Sequence, residues 1–164
     1  MGMSSSRRYG SPPIQTITMV TTSTESDWKV RHAGSIGAIK WHALGNTYER
    51  NMPEINLSSS AGRKKIIIES SKGLNGLYCL GNGLTTLDLT NNPSLVYLSC
   101  TDNFLNILDV SKNNRLLQIN CKYNSNLTKI HVNQNQLDIL NGVTPQPDDW
   151  SWTKDPSATY VLKQ

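Results

Sequence analysis

The sequence predicts a mainly β solenoid with little helix, a short right-handed coil of about three turns closed at its N-terminal end by a small β module. Three observations predict it. Cys79, Cys100 and Cys121 recur at intervals of 21 residues. Each sits in the same frame: Leu77-x-Cys79-x-x-Asn82, Leu98-x-Cys100-x-x-Asn103 and Ile119-x-Cys121-x-x-Asn124. The chain between them keeps phase as Leu84-x-x-Leu87-x-Leu89-x-x-Asn92, Leu105-x-x-Leu108-x-Val110-x-x-Asn113 and Leu127-x-x-Ile130-x-Val132-x-x-Asn135. A fixed period of this length marks stacked turns, none of which buries its apolar side chains alone.

Residues 1–13 are rich in Ser, Arg and Gly and end at Pro12-Pro13. They read as a disordered segment, and as they stand they lack the apolar stretch of a signal peptide. Residues 14–73 read as the small β cap module. Ile14, Ile17 and Met19 open a Thr-rich strand; Trp28, Val30 and His32 alternate on one face, and Ile39 and Trp41 do the same. Leu44-Gly45-Asn46 is a turn signal, and Ile55–Leu57 and Ile66–Ile68 are later strands joined through the Ser58–Gly62 loop. A sheet or sandwich here covers strand edges and apolar side chains that a first turn leaves bare.

Residues 74–142 carry the repeats. Alternate side chains of a strand point to opposite faces, so Leu98 and Cys100 face the core while Tyr97, Ser99 and Thr101 face out. A buried thiol packs as a small hydrophobe. Where the chain leaves each strand it turns, and interior backbone groups need partners. An Asn amide both donates and accepts, so Asn82, Asn103 and Asn124 are expected to stack and bond the backbone of adjacent turns, with Asn92, Asn113 and Asn135 as a second stack.

Gly142 stands where a fourth cysteine falls due. Residues 143–164 therefore read as a C-terminal cap: Pro145 and Pro147 deny ladder donors, and Trp150, Trp152 and Tyr160 fold over the last turn. An exposed stacking platform is the rival reading for those tryptophans.

The repeat resembles the leucine-rich repeat of the short, 21-residue bacterial kind, through Leu87-Asp88-Leu89, Leu108-Asp109-Val110 and the cysteine at the strand position. That cysteine column is similar to the cysteine ladder of internalin-type and Bacteroides-type surface proteins. The match runs from about Leu74 to Leu140, with an extra residue near Ser125-Asn126 and one lost before Leu137. The segment Ala33–Trp41 is weakly similar to the immunoglobulin-like modules that precede such repeats, with their acidic loop replaced by His42-Ala43-Leu44. The resemblance implies a bacterial surface or secreted protein that contacts a protein or a glycan.

Little in the chain speaks for catalysis. His32, His42 and His131 join no familiar triad signature and there is no G-x-S-x-G. Three cysteines at 21-residue spacing, without a CxxC pair, argue against a metal site, and no cofactor motif is present. Parallel Cβ directions in a stacked column suit free thiols rather than disulfides. Net charge is +4, with Arg7-Arg8 and Arg63-Lys64-Lys65 as its tight basic groups. Acids interrupt any basic stripe, so nucleic acid is not an expected partner. No apolar run is long enough to span a bilayer as a helix.

What remains is the outward face of the strands. Its columns by phase are Gly76, Tyr97, Gln118 and Ile139; then Tyr78, Ser99, Asn120 and Asn141; then Leu80, Thr101, Lys122 and Val143. Asp102 and Tyr123 follow at the edge. The contact candidates are Tyr78, Tyr97, Ser99, Asp102, Gln118, Asn120, Lys122 and Tyr123, a mix of Tyr with small polar residues that suits adaptable recognition. A non-enzymatic binding module is the expectation. The alternatives are a structural spacer or stalk, and polyanion binding through the basic groups.

Overall fold

The structure, a computed structural model, describes residues 13–35 and 37–164. The expectations for Arg7, Arg8 and the rest of residues 1–12 lie outside the described residues. The chain is mainly β. Its N-terminal strands are β1 (Gln15–Thr21), β2 (His32–Gly34), β3 (Ile39–Ala43), β4 (Asn46–Tyr48) and β5 (Lys64–Ser70). Then come β6 (Gly76–Tyr78), β7 (Leu84–Asp88), β8 (Tyr97–Ser99), β9 (Ile107–Asp109), β10 (Gln118–Asn120) and β11 (Lys129–Val132). Among the described residues one helix, α1 (Gln134–Leu140), precedes β12 (Ser151–Thr153) and β13 (Thr159–Leu162).

These strands form two mixed sheets, neither closed into a barrel. The larger has eight strands in the order β13-β11-β9-β7-β1-β5-β3-β4, the smaller five in the order β12-β10-β8-β6-β2. From β6 onward the chain alternates between the sheets, and each return pairs in parallel with the strand before it. Leu77 lies opposite Leu98, and Leu98 opposite Ile119, so the 21-residue period is also the strand register. In the larger sheet Asp88 lies opposite Asp109 at the same offset. Leu108 lies opposite Ile130, one residue longer, which places the extra residue of the third unit between β10 and β11.

The N-terminal strands do not form a separate layer. β1 pairs antiparallel with β7, and β2 antiparallel with β6, so strands on either side of residue 73 share both sheets. One apolar cluster runs from Ile17 through Trp28, Trp41 and Leu77 to Ile130 and Ala158. The alternation expected of Ile17 and Met19 holds through β1, whose next inward residue is Thr21. The alternation from Trp28 and Val30 to His32 slips by one: Ala33 is buried and His32 exposed, because β2 pairs with β6 through Ala33 opposite Leu77. Leu44 and Gly45 both take positive φ, 50° and 79°, which closes the tight β3–β4 hairpin.

Two expectations near the C-terminus need correction. Gly142 does not mark a missing cysteine; it ends α1. Its φ is +73°, its N–H donates to Ile139 O, and Val143 N–H donates to Asp138 O, the paired bonds that close a helix on a glycine. Residues 143–164 are also more than a lid. After Pro145 and Pro147 the chain returns, and β12 and β13 extend the two sheets in parallel with β10 and β11. Trp152 lies opposite Ile119, and Tyr160 opposite Ile130. The fourth members of the outward columns are therefore Ser151 and Thr153; Ile139 and Asn141 belong to α1 and its C-cap.

Candidate functional site

The outward face of the smaller sheet gathers most of the contact candidates. Tyr78, Tyr97, Ser99, Gln118 and Asn120 line one shallow cavity of about 400 Å³ together with Ser151 and Thr153. They come together because β6, β8, β10 and β12 stack in register, which sets Gly76, Tyr97, Gln118 and Ser151 in one row and Tyr78, Ser99, Asn120 and Thr153 in the next. Tyr78 is 38% exposed and its ring tilts against His32 at 5.2 Å between centroids. The Gln118 amide donates to Asp149 O, which ties this face to the loop before β12. His32 joins this surface, although its alternation with Trp28 and Val30 pointed only to a place in the cap.

Lys122, Asp102 and Tyr123 stand at the edge, and all three are exposed. Asp102 and Tyr123 hold positive φ of 56° and 59°, and Gly81 holds 64° at the equivalent point of the turn before. The three are spaced by the repeat, so the left-handed residue belongs to the corner that follows each strand of the smaller sheet. Tyr123, at 73% exposure, is carried outward by that corner rather than into the cavity.

The residues expected to be structural lie inside. Cys79, Cys100 and Cys121 are free and buried. The ladder continues through them: Cys79 N–H donates to Ser99 O and Cys100 N–H to Asn120 O. Burial pushes the Cys79 and Cys121 thiols up to about 12, and pushes Cys100, which also feels both neighbours, well above the ordinary range. A thiol held protonated is a poor nucleophile.

The asparagines carry the corners. Asn103 Oδ1 accepts the N–H groups of Asn82 and Leu84, while its amide donates to Cys79 O and Cys100 O. Asn124 repeats this one turn on, accepting from Leu105 and donating to Cys100 O and Cys121 O. Asn82 donates to Lys29 O, and its own carbonyl oxygen takes the Thr21 hydroxyl and the Trp28 indole, which moors the N-terminal strands to the first turn.

The second stack is as expected for Asn92 and Asn113 but not for Asn135. Asn113 donates to Leu89 O and Asn92 O. One turn later Gln136, 5% exposed, donates to Val110 O and Asn113 O, while Asn135 is exposed. Helix α1 begins here, capped by Asn133 and Gln136 in a reciprocal pair, and the helical turn swings residue 136 inward.

The basic triplet is also reshaped. Lys64 is 2% exposed and donates from Nζ to Ser23 O, because strand alternation in β5 sends it inward with Ile66 and Ile68. Arg63 and Lys65 remain at the surface, so the cluster is not three adjacent exposed cations. On the larger sheet, Asp109, His131 and Lys163 meet across β9, β11 and the residue after β13, with Lys163 Nζ 3.0 Å from Asp109. No described helix is long and apolar enough to cross a membrane. No family model matches this chain, and neither the curated proteins nor the solved structures contain a match.

Proposed function

We propose that this chain is a leucine-rich-repeat protein of the short bacterial kind, a solenoid that binds a protein or a glycan through the outward face of its smaller sheet. One observation carries the binding part: Tyr78, Tyr97, Ser99, Gln118 and Asn120, chosen for chemistry and phase, line a single cavity. The repeat reading draws support from the register of Leu77, Leu98 and Ile119 and from asparagines that bond from one turn to the next. Recognition works by shape and by hydrogen bonds from a fixed backbone. The side chains are already positioned, so little ordering entropy is lost on binding. The reading is non-enzymatic. The resemblance supports a location at a bacterial surface or outside the cell.

The test compares the protein with Tyr78→Ala and Tyr97→Ala on a glycan array and in pull-downs against purified surface proteins. A ligand held by the parent and lost by both variants, with unchanged melting, supports the reading. A ligand held equally by all three removes this face as the site.

A further inference from the structure

A second cleft lies at the last turn, next to the strand face and sharing Ser151 and Thr153 with it. It measures about 550 Å³, within the range of small-ligand sites, and Trp150, Trp152, Tyr160, Lys122, Lys154 and Gln146 line it. Trp150 and Trp152 stack with centroids 4.6 Å apart and planes 10° from parallel. Trp152 packs on the apolar core, as does Tyr160 at 5.9 Å from it. Trp150 is thus backed on one face by a ring that the core holds still. It is only half-buried itself and it borders the cleft.

The charge here is of one sign. Lys122 and Lys154 line the cleft, and among the described residues no carboxylate does. Lys154 Nζ sits 5.5 Å from the Tyr160 ring centre, which keeps it at the aromatic wall. Asp155, next to Lys154 in sequence, does not line the cleft; its carboxylate receives the backbone N–H groups of Tyr123 and Asn124. Gln146, Ser151 and Thr153 add neutral donors and acceptors. A ligand that fits has a flat apolar face to lie on an indole, several hydroxyls and a negative charge. Those are the properties of a sugar ring bearing a carboxylate.

We propose that this cleft binds acidic glycans, with a hexuronate ring stacked on Trp150 and its carboxylate between Lys122 and Lys154. The cleft adjoins the strand face through Ser151 and Thr153, but Trp150, Trp152, Tyr160 and Lys154 lie outside that face's cavity, and the proposal stands whether or not the face binds. The probes are a short oligogalacturonate and its methyl ester, which keeps the rings and removes the charge. The readouts are calorimetry and, for the parent protein, tryptophan emission. The oligogalacturonate binds saturably and shifts the emission, and the ester binds at least about tenfold more weakly. Trp150→Ala abolishes binding with the melting temperature held, Lys122→Ala weakens it, and Tyr97→Ala leaves it intact. The proposal is overturned by parent protein that binds neither probe, by an ester that binds as well as the acid, or by full binding in a folded Trp150→Ala. A Trp150→Phe variant guards against misfolding, since it keeps a ring and is expected to retain weaker binding; should neither Trp150 variant fold, a Lys122→Ala that binds the oligogalacturonate more weakly supports the proposal and one that binds it as the parent does overturns it.

Discussion

Asp155 Oδ2 accepts the backbone N–H of Asn124 at 2.9 Å, and its Oδ1 accepts that of Tyr123 at 3.0 Å. Asn103 does the same for Asn82, and Asn124 for Leu105. The last turn therefore ends its stack of amides with a carboxylate, a pure acceptor facing donors alone. A carboxylate receiving backbone N–H groups makes stronger bonds than an amide oxygen does.

Asp155→Ala is expected to lose about 2 kcal/mol, mostly because the part-buried N–H of Asn124 is left without a partner, that of Tyr123 being open to water. Asp155→Asn keeps an acceptor and is expected to lose about 1 kcal/mol. Urea unfolding followed by circular dichroism gives both values. Equal losses in the two variants rule out the acceptor role.

Gln136 and Asn135 separate the structural column from the sequence pattern. Gln136→Ala removes the donor to Val110 O and Asn113 O and half of the α1 cap, at a cost of about 2–3 kcal/mol. Asn135→Ala, on the exposed side of α1, is expected to stay within about 0.5 kcal/mol of the parent. The same unfolding titration orders them, and an Asn135 effect as large as that of Gln136 contradicts the assignment.

These two residues also show where the sequence stops being readable. Between Leu74 and Val132 the period fixes both the inward side chains and the corner amides, since each turn repeats its neighbour's environment. The period fails where a helix intrudes, because a helical turn and a strand send their side chains inward at different spacings. Continuing the count past Val132 therefore picks Asn135 and loses the final turn, which returns only at Ser151 after a helix and a proline loop. Lys64 failed for the opposite reason. Alternation with Ile66 and Ile68 places it inside, yet its charge argued for solvent, and the Ser23 carbonyl that receives it lies 41 residues away in sequence. The contact face was legible as a set of phases. The aromatic cleft was legible only as Trp150, Trp152 and Tyr160 over the last turn, with no sign that Lys122 stands beside them.

The thiols give a prediction in pH. A group whose folded pKa lies above its unfolded value keeps its proton longer in the native state. Its contribution is whole below the unfolded value near 9 and is lost as pH rises toward about 12. Tyr160, also pushed up to about 12 by burial, adds to the loss at the upper end. Melting is expected to be flat between about pH 7 and 8.5 and to fall by at least about 4 °C by about pH 10.5. Cys79→Ala, less stable throughout, loses part of that slope. At neutral pH a thiol-exchange reagent labels no cysteine of the native protein and all three in denaturant. Rapid native labelling contradicts their burial.

Tyr123 is the place where the corner is at odds with its own residue. At φ 59° a side chain with a Cβ costs roughly 1–2 kcal/mol, and glycine adopts this conformation freely. Gly81 already occupies the equivalent corner at φ 64°. Tyr123→Gly removes a ring that is 73% exposed, so little packing is lost. Against this, glycine widens the unfolded ensemble by roughly 0.5–1 kcal/mol. The balance is a variant as stable as the parent or more stable by up to about 1 kcal/mol. Tyr123→Ala has no such relief and is expected to be no more stable than the parent. Thermal unfolding of the pair checks the sign. A Tyr123→Gly variant weaker than Tyr123→Ala shows that the tyrosine ring is held by contacts on the surface, and that its outward position is not simply imposed by the turn.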